Sequence, residues 1–193
     1  MSHTSIERVD TIHEGWGRFL MLHLRTEDGA RFTRQVEDHG DAACVLPYDP
    51  ARRCVMLVRQ PRAPLLFKGE GESLWEAPAG ILDEPDAAAC ARREALEEAG
   101  LRLDALEPLG AFWPMPGTAT ERIHLFLAPY GAADRIAEGG GLADENEAIE
   151  LSEMGFAEAF AAADAGRIAD LKTWALLQAL RLRHPELIRP GAG

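Results

Sequence analysis

Residues 80–101 read GILDEPDAAACARREALEEAGL, and the reading of this stretch decides the fold. Pro85 suits a first helical turn and Gly100 the left-handed position that ends one, so a helix is expected over residues 85–99. Inside it Glu94, Glu97 and Glu98 stand three and four residues apart and therefore share a face. Like charges at that spacing cost roughly 0.2–0.5 kcal/mol per pair in an exposed helix. They also crowd the last turn, where the helix dipole favours cations. Arg93 reaches Glu97 at i, i+4, but a single pair in its weaker orientation does not neutralise three acids. A hard divalent ion does, because magnesium and its relatives take carboxylate oxygens and keep several waters. On a helical wheel Ala88, Ala95 and Ala99 form a narrow apolar side. The small Ala87 and Cys90 fall among the glutamates, which is expected to leave room above the acids for a bulky ligand. Taken alone, ARREALEEAG also reads as a solvated helix face, so the rest of the chain must decide.

Gly80, Arg93, Glu94, Glu97, Glu98 and Gly100 resemble, in order and type, the signature of the Nudix hydrolase family, pyrophosphatases acting on nucleoside diphosphates linked to another group. The loop between Gly80 and Arg93 is one residue shorter than the usual pattern, and the acid normally found within it appears as Asp86. A similarly shortened loop marks the branch that resembles GDP-mannose pyrophosphatases. Four further stretches look like the ADP-ribose pyrophosphatase and nucleotide-sugar group: RQPR (59–62), WEAPAG (75–80), MPGTATE (115–121) and GLADENEAIEL (141–151). Pro116 stands fifteen residues after Leu101, as a proline does in that group.

Composition agrees with a compact enzyme. A chain of 193 residues with 47% hydrophobic content can bury a core in one domain. A net charge of -12, from 20 basic against 32 acidic residues, disfavours duplex nucleic acid as a partner. It does not exclude a phosphate substrate, since a bound cation inverts the local electrostatics of an acidic pocket. No run of eighteen apolar residues exists, so no membrane helix is expected. The opening MSHTSIERVD lacks a basic start and an apolar stretch, which argues against a secretory signal and makes the cytoplasm the default. Cys44, Cys54 and Cys90 are odd in number and form no CxxC, so buried reduced thiols are expected.

Residues 16–25 and 30–36 flank the turn-rich TEDG and read as a hairpin. A lone hairpin is marginal and must pack on the body or on another subunit. Residues 1–40 are accordingly expected to form an N-terminal β region and residues 41–193 the catalytic domain. Strands are expected over 41–47, 54–59, 106–113 and 123–128. Residues 131–141 are glycine-rich without apolar periodicity and read as a mobile surface loop. Helices are expected over 156–165 and 170–183, the second carrying Leu171, Trp174, Leu177 and Leu180 as core or interface residues. Strands, helix, strands and helices in that order imply an α/β (α+β) sandwich with a mixed sheet plus an N-terminal antiparallel hairpin or sheet, as the Nudix resemblance also does.

Cleaving a diphosphate requires neutralised oxygens, a water in line with phosphorus and a base for its proton. Glu94 and Glu98 are the expected Mg2+ ligands, with Mn2+ as a substitute. The resemblance implies that the carbonyl of Ala79 and the carboxylate of Glu147 complete the shell, with Glu97 as a further ligand and Arg93 within the signature. Glu145 occupies a position that resembles that of the catalytic glutamate of ADP-ribose pyrophosphatases and is the expected base, with Glu97 as the runner-up. Arg62 is the expected phosphate contact, because guanidinium grips phosphate bidentately. Arg34 and Glu121 resemble residues that hold the nucleotide or sugar. Trp16 or Phe19 is a candidate to stack on the base, with core packing favoured for Phe19. The resemblance further implies a homodimer through the N-terminal sheet. The expected substrate is a nucleoside diphosphate sugar, with ADP-ribose ahead of GDP-mannose. A UDP-sugar or dinucleotide pyrophosphatase, or a sensor that binds nucleotides without cleaving them, remains as an alternative.

Overall fold

The computed structural model describes residues 3–141 and 148–188. Its centre is β4 (Ala42–Asp49), in which every residue is buried. Side chains alternate across it: Cys44 and Leu46 join one core cluster, Ala43 and Val45 another. A strand covered on both faces reads as a continuous apolar run.

Around it lie β5 (Cys54–Arg59), β6 (Ala79–Ile81), β7 (Glu107–Phe112), β8 (Ile123–Pro129) and β9 (Glu150–Gly155). The sheet runs β7-β8-β4-β5-β9, with β6 also paired to β4. Only β4 and β8 pair in parallel, so the sheet is mixed. Helices α3 (Phe156–Asp164) and α4 (Leu171–Arg183) bury Phe156, Phe160, Leu176, Leu177 and Leu180 on one face. Helix α2 (Ala87–Ala99) covers the other with four alanines and Cys90, small side chains that bring its backbone close to the sheet. The α/β/α sandwich is therefore as expected.

Several local expectations need correction. The acidic helix begins at Ala87 because Asp86 caps it, accepting from the N–H groups of Ala88 (3.0 Å) and Ala89 (3.1 Å). Ala87 and Cys90 do not open space above the glutamates; both are buried in the sheet-facing core. Of the four expected core or interface residues of α4, Leu177 and Leu180 are in the core, whereas Leu171 and Trp174 are 61% and 41% exposed and lie outside it. Cys44, Cys54 and Cys90 are free and buried, as expected. No helix among the described residues is long and apolar enough to cross a membrane.

The N-terminal hairpin is two strands of a three-stranded sheet: β1 (Thr4–Glu14), β2 (Arg18–Thr26) and β3 (Arg31–Asp38), antiparallel in that order. Cross-strand partners share a face. One face gathers Leu20, Leu22 and Leu24, with Ile6 and Val9 from β1 and Phe32, Arg34 and Val36 from β3. Of these Leu20 is buried, whereas Ile6 and Val9 are 58% and 50% exposed. Phe19 points to the opposite, more polar face and is exposed, so it is not a core residue. The sheet is tied to the body where Glu37 exchanges backbone hydrogen bonds with Thr118 and Thr120.

Candidate active site

Strand β6 lies between β4 and α2, and the glutamates of α2 converge on it. Glu98, 2% exposed, accepts from the backbone N–H of Ala79 at 3.0 Å. Glu94, 8% exposed, rests its carboxylate directly over Gly80, where any Cβ would collide with it. Gly80 is thus a glycine for reasons of space. Gly80→Ala is expected to push the Glu94 carboxylate aside and lower kcat at least tenfold while the fold survives, since the displaced group is the end of a flexible side chain. Parallel activity and melting measurements check this; an unchanged kcat would contradict the expectation that Glu94 serves the reaction.

Arg93 does more than the expected single pair. Its Nη1 lies 2.9 Å from Glu94 and 3.1 Å from Glu97, and its Nη2 3.1 Å from Asp83. One guanidinium thus holds two of the helix acids, and the Ala79 amide meets the third. Burial alone would depress the Arg93 pKa, but Glu94 and its other acidic neighbours raise it.

The helix ends at Gly100 in the left-handed conformation (φ 69°). The glycine-rich segment, on the surface as expected, docks there. Gly140 donates to the carbonyl of Glu98 (2.8 Å) and Gly141 to that of Glu97 (3.1 Å), satisfying carbonyls at the crowded helix end. Ile149 N–H points back to Gly140 O at 3.4 Å, so the described chain leaves and re-enters beside the acidic turn. Glu145 and Glu147 lie outside the described residues.

Beside β6 opens a cavity of about 650 Å³ lined by Trp16, His39, Arg62, Gly80, Arg93 and Glu94, among others. It adjoins a lobe of about 410 Å³ that adds Glu76, Glu121, Met115 and Lys172. Arg62, Ala79, Glu94, Glu121 and Arg93 are therefore brought to one connected space, with Glu97 and Glu98 on the adjoining helix face. Trp16 stacks on His39 with ring centroids 5.1 Å apart, and His39 Nε2 lies 3.7 Å from Glu121. Arg34 is not among the lining residues; it is exposed, with its guanidinium 4.7 Å from the Phe32 ring centroid.

Sequence reasoning missed a charged cluster at the pocket wall. Glu76, 3% exposed, receives Arg62 through Nε (2.7 Å) and Nη2 (2.8 Å) and Lys172 through Nζ (2.7 Å). Burial would raise the Glu76 pKa, but Arg62 and Lys172 hold it below the ordinary carboxylate range. Lys172 is raised despite its burial, because Asp170 and Glu76 favour the ammonium. Glu76 stands inside the quoted WEAPAG, but Lys172 is 96 residues away and no local pattern joins them.

Whether this site fits a divalent cation is tested by its donors. Two buried carboxylates on one helix face, brought up to β6 by a glycine, supply hard oxygen ligands. No three His, Cys, Asp or Glu side chains among the described residues form a complete metal-holding group. Magnesium is commonly held by one or two carboxylates together with waters and substrate phosphates, and the donors present fit that mode.

The NUDIX domain model matches residues 38–175. A GDP-mannose pyrophosphatase of Cronobacter sakazakii is 43% identical over 169 residues, covering 86% of this chain and 87% of that protein. One of Pectobacterium atrosepticum is 43% identical over 82% of each chain, and one of Escherichia coli O1:K1 is 37% identical over 86% and 87%. A crystal structure of an ADP compounds hydrolase superposes with a TM-score of 0.75 over 95% of both chains at 17% identity, a likeness of fold.

Proposed function

The chain belongs to the Nudix family, and from that premise we propose that it is a magnesium-dependent pyrophosphatase that hydrolyses GDP-mannose to GMP and mannose 1-phosphate. The observation that carries this reading is the pair of buried carboxylates, Glu94 and Glu98, set against β6, with Glu94 lining a cavity that also takes Arg62 and Arg93. Among nucleoside diphosphate sugars, the relatives' activity supports placing GDP-mannose ahead of ADP-ribose, reversing the order suggested by ENEAIEL. A panel of GDP-mannose, ADP-ribose, UDP-sugars and dinucleotides, with product identification, tests it. Binding without release of a nucleoside monophosphate would favour the sensor reading instead.

The residues divide the work as follows. Glu94, Glu98, Glu97, the carbonyl of Ala79 and Glu147 are the proposed oxygen donors for Mg2+, with Mn2+ as a substitute. When bound, the cation neutralises the diphosphate oxygens and acidifies water. Arg62 grips a phosphate, leaving the leaving group's charge shared with the site. Glu121 faces the lobe where sugar or nucleoside is held. Glu145 is the proposed base; Glu97, the runner-up, is already engaged by Arg93. We place the enzyme in the cytoplasm, a reading supported by its free, buried cysteines, and without nucleic-acid or membrane partners.

We further propose a homodimer. The N-terminal sheet presents an apolar face with Ile6 and Val9 at least half uncovered, and Arg34 stands in the middle of that face opposite Leu22. A second copy seated there buries the apolar side chains and carries Arg34 to a neighbouring subunit. Co-expressing Arg34→Ala and Glu98→Gln chains then rebuilds one intact site in each mixed dimer, returning roughly a quarter of wild-type activity from two inactive parents. No recovery would place Arg34 in its own subunit's site.

A further inference from the structure

We propose that Glu76 is a positioning residue of the reaction, acting through Arg62: its buried carboxylate fixes the guanidinium so that the free edge faces the diphosphate. This rests on the reading of Arg62 as the phosphate grip. Arginine carries five N–H donors in a rigid fork. Nε and Nη2 spend one donor each on Glu76, at 2.7 and 2.8 Å, which leaves three on the outer edge. Arg62 lines both connected cavities, so that edge has a space to serve.

The carboxylate itself is fixed from every side. Its backbone is paired in both directions with Val58, at 2.8 and 2.9 Å. Its Oε2 also accepts from Lys172, which in turn reaches Asp170 at 2.9 Å. Asp170 caps α4 by accepting from the Thr173 N–H at 3.0 Å, and the Thr173 hydroxyl accepts from the Ala77 N–H at 2.7 Å. The chain from the α4 cap through Lys172 and Glu76 to Arg62 thus ends at the pocket. A neutral amide in place of Glu76 keeps the shape but presents one acceptor and one donor group, so it cannot receive both Arg62 donors.

The test uses Glu76→Gln, Arg62→Ala and the double variant, read by steady-state GMP release from GDP-mannose with magnesium and by calorimetric affinity for GDP. Glu76→Gln is expected to raise KM and the GDP dissociation constant roughly tenfold to a hundredfold, with a smaller change in kcat and the same magnesium half-saturation. In the Arg62→Ala background it adds little, because the two residues act as a unit. A Glu76→Gln protein that melts lower but keeps wild-type KM and GDP affinity, or effects that multiply in the double variant, would overturn the proposal. Should Glu76→Gln not fold, Glu76→Asp, which withdraws the carboxylate by one methylene, is read the same way. Wild-type protein that binds GDP but releases no GMP overturns the assigned reaction and leaves the affinity comparison to judge Glu76; protein that does neither overturns both.

Discussion

Glu98→Gln is expected to lower kcat by about 10³ or more while the protein stays folded. The charge removed belongs to a carboxylate 2% exposed, and a ligand to a catalytic cation is worth several kcal/mol in the transition state. Glutamine still offers an oxygen to the Ala79 N–H, which the native carboxylate receives at 3.0 Å, so β6 keeps its place. Without metal the variant should melt no lower than the parent, because one of several crowded acids has gone. The same comparison sorts the candidate bases: Glu145→Gln is expected to lose about 10²–10⁴ in kcat at unchanged magnesium affinity, and Glu97→Gln less. Rapid-quench or coupled phosphate assays with magnesium titrations measure both. A Glu98→Gln enzyme within tenfold of wild type would remove Glu98 from the cation site.

Gly100→Ala should destabilise the fold by about 2–4 kcal/mol. The residue sits at φ 69°, and its new Cβ would overlap the Ala137 carbonyl, with Gly139 N only 3.1 Å away. These are backbone atoms held by their own hydrogen bonds: Ile136 and Ala137 both donate to Gly100 O. Relief therefore means undocking the segment from the acidic helix end. For a chain of this size the melting temperature should fall roughly 5–15 °C. Gly29→Ala is the control, since it shares a positive φ (89°) but meets nothing within 4 Å, so only the backbone strain remains. Equal, small shifts for the two variants would mean that the docked segment contributes nothing to stability.

The elements that could be read from the chain were those in which a local pattern and its environment agree. β5 occupies Cys54–Arg59 as expected, and α4 follows the expected helix with Asp170 as its cap. β1 escaped notice because its polar residues do not alternate, and bulges near Ile6/Arg8 and Thr11/His13 break the period of two. β9 and the short α1 (Ala63–Lys68) were likewise not expected; α1 buries none of its residues and so leaves no apolar stripe to detect. Phe19 and Leu20 show the limit of composition. Both are large and apolar, but adjacent strand residues point to opposite faces, and only Leu20 is buried.

The candidate site divides along the same line. Residue type and spacing on one helix were enough to name Glu94, Glu97, Glu98 and Arg93, because helical geometry alone puts them together. Folding was needed to place Gly80 under Glu94, to bring Gly140 and Gly141 onto the last carbonyls of α2, and to set Lys172 against Glu76. The amino-acid sequence by itself determined the acidic helix, its glycine stop and the two-sided apolar strands, since each is written within a short window, as a period of 3.6, a residue free to turn left-handed and an unbroken apolar run. Tertiary structure alone decided which acids are buried, which cation each one meets and how Arg62 is held, because those depend on contacts between segments far apart in the chain.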